Sequence, residues 1–420
     1  MKTIFSCVLS AAALSALADV TVTGVAADAE RRQVVVEYTL SGETPQIVTA
    51  EFFEDGAALP AELTANAVGD VNRLVQPTAD DEVRKIYWMT DALADAKPSI
   101  GKISVRLSVW TKENPPDYMV YDFVAANSVR YYTSSNALPG GIGNAAYRKE
   151  KMVFHRIPAA GVEWYMGSPE GENGRNGTEG QEDRHLVRLT HDYYMAVFET
   201  TYGQAPYVFA GSYYSNRIVD NSLEKNGDPS YALGNVTYGY LKDASTDNPS
   251  SSLAIGALRA RTGIDFDLPT EAQWEFACRA GTGAAMNSNK NLGAGYWDLM
   301  NPASMRALGW IYYDAKAEDG QTYGPRPVGL KQPNAWGLYD MHGNVAELCR
   351  DMAFGKFVAS DVAEENPICT TPVAGKGHVL RGGYYNQSAS NCRSAFRGNE
   401  GNAGAYLGYG FRLIAPIPLN

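Results

Sequence analysis

The chain holds few residues able to run covalent or metal chemistry, and their spacing limits what they can do. Its five cysteines are Cys7, Cys278, Cys349, Cys369 and Cys392, and a thiolate would be the strongest nucleophile and the softest metal ligand available. Cys7 falls in the apolar start of the chain, which leaves four cysteines and three ways to pair them, and spacing does not choose among the three. The histidines, His155, His185, His191, His342 and His378, lack the short intervals of a zinc site. No Gly-x-Ser-x-Gly elbow or phosphate-cradling loop occurs, which argues against a serine hydrolase or a nucleotide enzyme.

The remaining candidates lie in four glycine- and tryptophan-punctuated segments: residues 268–282 (LPTEAQWEFACRAGT), 334–351 (NAWGLYDMHGNVAELCRD), 379–397 (VLRGGYYNQSASNCRSAFR) and 408–413 (GYGFRL). In the first, Pro269 precedes Thr270, and Gln273 stands three positions after it, the pattern of a capping box that opens a helix. Trp274, Ala277 and Cys278 then share one helical face and point to a core. Glu271 sits where the helix dipole favours a negative charge, so Glu271 and Glu275 read as structural. Arg381, Arg397 and Arg412 read as partners in buried ion pairs, because arginines inside proteins are normally paired.

Upstream, residues 1–18 read as an export signal, with Lys2, an apolar run over 4–17 and cleavage after Ala18, which predicts a secreted or periplasmic protein. No other stretch of about 18 apolar residues would span a bilayer. Over 19–132 the pattern changes to short strands: Gln33–Leu40, Ile103–Trp110 and residues 118–124 are rich in β-branched and aromatic side chains. The alternation of Val105, Leu107 and Val109 with Ser104, Arg106 and Ser108 places one face inward. This predicts a small all-β, immunoglobulin-like sandwich, followed by a linker over 133–150 in which Pro139 precedes paired glycines. With 420 residues and 45% hydrophobic composition the chain can fill more than one core, and a net charge of −11 excludes non-specific binding to nucleic acid. The 26 tyrosines and 41 glycines suit a loop-rich fold that presents aromatic rings to polar ligands.

From residue 152 to 412 these segments resemble the formylglycine-generating enzymes, or sulfatase-modifying factors. The resemblance implies an α+β domain over 151–420 with an irregular relative of the C-type lectin fold, opening on a hairpin over 152–167 and an aromatic strand within 192–201. It also implies a disulfide between Cys278 and Cys392, with Cys349 pairing Cys369 or remaining free. The family's oxidase chemistry uses two cysteines after a Gly-Gly pair to hold copper(I) and engage a substrate thiol. Here Gln387 stands where the first would fall, Tyr384 replaces a common serine, and Cys392 alone remains as a candidate, so copper is not expected; one thiolate makes no two-sulfur site. Calcium is expected at Asp340, Gly343, Val345 and Glu347, with Asp314 and Asp319 near a second site. Asn344 is expected to serve backbone hydrogen bonds. Ala346 and Leu348 replace two family tryptophans, so the core beside that loop is either repacked or opened. The functional expectation is a non-catalytic exported protein that binds a glycan or peptide in a cleft lined by Tyr384, Tyr385 and Asn386. The alternative is an oxidase converting a cysteine of an exported sulfatase to formylglycine.

Overall fold

The computed structural model describes residues 19–28, 32–79, 82–90, 102–125, 128–178, 180–216, 228–312, 324–353, 360–401 and 404–419. The export signal read in residues 1–18 lies outside them, as do Asp314 and Asp319. Among the described residues no helix is long and apolar enough to cross a membrane. The described residues divide into two compact units, those within 19–121 and 128–144 with 419, and those within 122–125 and 145–418.

The first unit is built from two antiparallel sheets. One runs in the order Val20–Asp28, Gln33–Leu40, Arg84–Met89, Val68–Gly69; in the other, Gln46–Glu54 pairs Ala57–Ala58, Arg73–Val75 and Ile103–Trp110. Period-two patterning sets the faces: Val34, Val36, Tyr38 and Leu40 are all buried while their neighbours are half-buried. Val105, Leu107 and Val109 pack onto the same core from the other sheet, as their alternation predicts. The rings of Phe52 and Trp88 meet there with centroids 4.8 Å apart. The stretch read as a linker is folded in part: Ser134 caps a 3-10 turn, Ser135–Ala137, and Leu138 is fully buried.

The second unit mixes small sheets with short helices, so the chain as a whole is of mixed α and β type. Its opening strands, Lys151–Ile157 and Val162–Met166, do not form the expected hairpin. Lys151–Ile157 pairs Tyr193–Ala196 of the predicted aromatic strand, whose other edge pairs Ile414–Pro416. Val162–Met166 pairs His185–Leu189 instead. Pro158 offers no N–H, and Gly161 donates to the carbonyl of Leu189, so the connection hands the chain from one sheet to the next.

A third sheet, ordered Gly398–Asn399, His378–Arg381, Ala346–Met352, Tyr409–Gly410, carries most of the motif residues. Its register sets Glu347 opposite Arg381 on one side and Gly410 on the other. The Glu271–Arg279 helix opens on the predicted capping box: Thr270 Oγ1 accepts from the Gln273 N–H and the Gln273 side chain accepts from the Thr270 N–H. Asp351 adds a second cap by accepting from the Glu271 N–H at 2.7 Å. Both acidic residues of this helix are buried and paired, Glu271 with Arg397 and Glu275 with Arg279 and Arg381. Ala346 and Leu348 are themselves buried, and Trp274 donates its Nε1–H to Glu347 at 2.7 Å, so an indole from the helix packs beside the strand.

Candidate functional site

Two loops leave the third sheet side by side, residues 340–345 and 382–392, and hydrogen bonds join them. Gly343 N–H donates to the Gly382 carbonyl and Tyr385 N–H to the Asn344 carbonyl. Each loop needs a glycine. Gly343 has φ 89°, and a Cβ there would lie 2.1 Å from the Trp310 carbonyl oxygen; Gly383 has φ 70°, and a Cβ there would lie 2.5 Å from Cys392 Sγ.

Cys392, the one cysteine after the glycine pair, is fully buried against Met286, Leu292, Met305, Leu308, Ile311 and Ala389. Burial in that apolar cluster pushes its thiol pKa well above the ordinary value, so the thiolate is suppressed. His342 does not act as a base toward it. Its Nε2 accepts from the Asn287 N–H at 3.1 Å, which leaves Nδ1 to donate to the Cys392 carbonyl at 2.6 Å. Burial lowers the pKa of this imidazole to about 4, so it is neutral and structural.

The expected bond between Cys278 and Cys392 is not formed; all four described cysteines are free. Cys278 lies instead 3.6 Å from Ser394 Oγ and 3.8 Å from the Met341 carbonyl, and burial pushes its pKa up to about 12. The helix face therefore meets Ser394, while Cys392 turns into the apolar cluster. Cys349 is buried and Cys369 partly exposed, and they are not joined either.

Of the calcium set, Asp340 is buried with φ 55°; its Oδ2 accepts from the Gly329 N–H at 2.7 Å, whereas among the described residues Oδ1 has no partner. Burial raises its pKa to about 6. An orphaned carboxylate oxygen is what a hard cation would take. Glu347 fits less well, since Arg412 grips both its oxygens and Trp274 bonds one of them. Gly343 and Val345 flank Asn344, whose side-chain oxygen accepts from the Arg326 N–H, a backbone group distant in sequence, and not from its own turn as expected. Among the described residues no group of three or more His, Cys, Asp or Glu side chains is placed to hold a metal.

Glu199 belongs to this site and was not singled out in the sequence. Its oxygens accept from the Asn344 side-chain amide at 2.5 Å and the Val345 N–H at 3.1 Å, and burial, with Asp340 and Glu347 nearby, pushes its pKa well up. Its position at the end of the aromatic run 192–198 was the available signal.

The predicted cleft residues come together in part. Asn386 is exposed and Tyr384 half-buried, but Tyr385 is buried and so does not present its ring to solvent as expected. Tyr384 packs edge-on against Tyr406 at 5.3 Å and Tyr409 at 6.3 Å, which joins the 408–413 segment to the same aromatic cluster. Tyr406 hydrogen-bonds both Tyr384 and Tyr385.

Residues 148–417 match the family described as the sulfatase-modifying factor enzyme 1-like domain. The mouse formylglycine-generating enzyme is 31% identical over 158 residues, which cover 35% of this chain and 38% of that protein. A serine/threonine-protein kinase pkn1 of Chlamydia caviae is 26% identical over 254 residues, 58% of this chain and 36% of that protein. The solved structure of PvdO from Pseudomonas aeruginosa aligns over 63% of this chain and 94% of its own, at 20% identity and a TM-score of 0.46. The chain thus spans well under two thirds of the curated relatives it matches.

Proposed function

Because this chain belongs to the sulfatase-modifying factor family, we propose that it is a non-catalytic member, exported, and that it binds a glycan or peptide at the tyrosine-lined cleft. The observation that carries this reading is the state of Cys392. Formylglycine synthesis at a family site needs accessible thiolates, and here the single candidate is packed among methionine, leucine and isoleucine side chains with its ionisation disfavoured. Gln387 supplies an amide in place of the partner thiol, and an amide is no ligand for copper(I). Tyr384, Tyr406 and Tyr409 hold one another at edge-to-face spacing, so ring faces and hydroxyls are offered with little entropy left to lose on binding. In this reading the second unit takes a lectin-like fold, the first an immunoglobulin-like one, and calcium, when bound, neutralises Asp340 and stiffens the loop at Gly343 and Val345.

The deciding experiment incubates the full chain with copper(I), a reductant, oxygen and a peptide containing Cys-x-Pro-x-Arg, and follows the peptide by mass spectrometry. We expect no aldehyde while an active enzyme run in parallel produces it. Conversion that disappears in Cys392→Ser would replace this reading with the oxidase.

A further inference from the structure

The second unit carries a cavity of about 630 Å³ that shares no residue with the 382–392 loop. Leu189, Tyr193, Ile368, Ile414, Ile417 and Pro418 supply its apolar wall. Arg259, Arg350, Asp192, Asp265 and Asp267 supply its charges, and His191 adds an imidazole. Such a volume, largely apolar with a few polar groups, is the usual form of a small-molecule site.

The formal charges nearly cancel, so the hydrogen-bond account decides the ligand's sign. Asp267 is saturated by Lys242, Arg259 and the Leu268 N–H. Asp192 is saturated by Arg156 and the Ala160 N–H. The two guanidiniums are only partly engaged. Arg259 donates Nε to the Phe266 carbonyl and Nη2 to Asp267, and Arg350 donates Nε and Nη2 to one oxygen of Asp247. Among the described residues neither Nη1 makes a hydrogen bond, although both arginines stay partly exposed at the cavity, with 25% and 31% of their side-chain surface open. The cavity therefore holds spare charged donors beside an apolar wall. Asp265 is the one exposed carboxylate of the lining.

We propose that this cavity binds a hydrocarbon carboxylate, its acid group on the Nη1 atoms of Arg259 and Arg350 and its chain against Ile368, Ile414 and Ile417. The proposal is independent of the cleft at Tyr384. Isothermal titration calorimetry of the full chain with octanoate, octan-1-ol and octylamine tests it. Octanoate should bind about tenfold more tightly than the alcohol, the margin of a charge-assisted hydrogen bond. Arg259→Gln should remove that margin. Asp265→Asn, at an exposed position, should tighten octanoate by removing a competing negative charge. Equal binding of acid and alcohol, tighter binding of the amine, no binding of octanoate, or weaker octanoate binding in Asp265→Asn would each overturn the proposal.

Discussion

Arg412 closes a two-pronged grip on Glu347, with Nη2 to Oε1 at 2.6 Å and Nε to Oε2 at 2.7 Å, and both side chains are removed from solvent. Trp274 adds a third donor to the same carboxylate, so the helix, the central strand of the third sheet and the C-terminal segment meet at one charge. A buried fork of this kind is costly to break from one side, because the abandoned partner keeps its charge without solvation.

Arg412→Met should therefore destabilise the second unit by about 3–5 kcal/mol, and the pair Arg412→Met with Glu347→Gln should recover a large part of that loss. Urea unfolding of the single and double variants measures the coupling. Additive losses would mean that the pair is not a unit.

The thiols provide a second check. Cys278, Cys349 and Cys392 are buried and Cys369 is partly exposed, so in the native protein a thiol reagent should modify Cys369 while sparing these three, and denaturant should release them. Fast native labelling of Cys392, read by peptide mapping, would contradict the buried position on which the non-catalytic reading rests.

Asp351 predicts a pH dependence. Burial, reinforced by the carboxylate of Glu271, raises its pKa to about 7 in the folded chain, against an ordinary value near 3.8. Between those values the folded state holds a proton that the unfolded state has released, so the stability from this group falls as the pH rises through the window. The denaturation midpoint of the wild type should decline from pH 4.5 to 7.5, and Asp351→Asn should flatten the decline while lowering stability overall by about 1–3 kcal/mol through its altered cap to Glu271 and Cys369. An unchanged slope in the variant would assign the titration elsewhere.

Calcium supplies the fourth test. If Asp340 Oδ1 is a ligand, calcium at about one hundred times its dissociation constant should stabilise the fold by about 2.7 kcal/mol. The shift should vanish with a chelator and in Asp340→Asn. A melting temperature indifferent to calcium would mean that this buried oxygen stays unligated.

Local chemistry was legible from the sequence. The capping box at Thr270, the alternation in Gln33–Leu40 and Ile103–Trp110, and the buried roles of Arg381, Arg397 and Arg412 follow from spacing or from the cost of burying a lone charge, and all appear in the structure. Partner choice was less legible. The strands flanking Pro158 were readable as strands, but their pairing with separate sheets depends on ladders supplied by Tyr193–Ala196 and His185–Leu189. Glu199 escaped notice because its importance comes from Asn344 and Val345, far along the chain.

By itself the sequence determined the family, the helix boundary and the lack of a second cysteine after Gly382-Gly383, since these are properties of residue order. Only the tertiary structure decided which way Cys392 faces, that Ser394 takes the place beside Cys278, and that Tyr406 and Tyr409 join Tyr384. Those outcomes turn on a left-handed glycine turn and on close packing among distant segments, where a shift of two residues along the chain exchanges a thiol for a hydroxyl at the same contact.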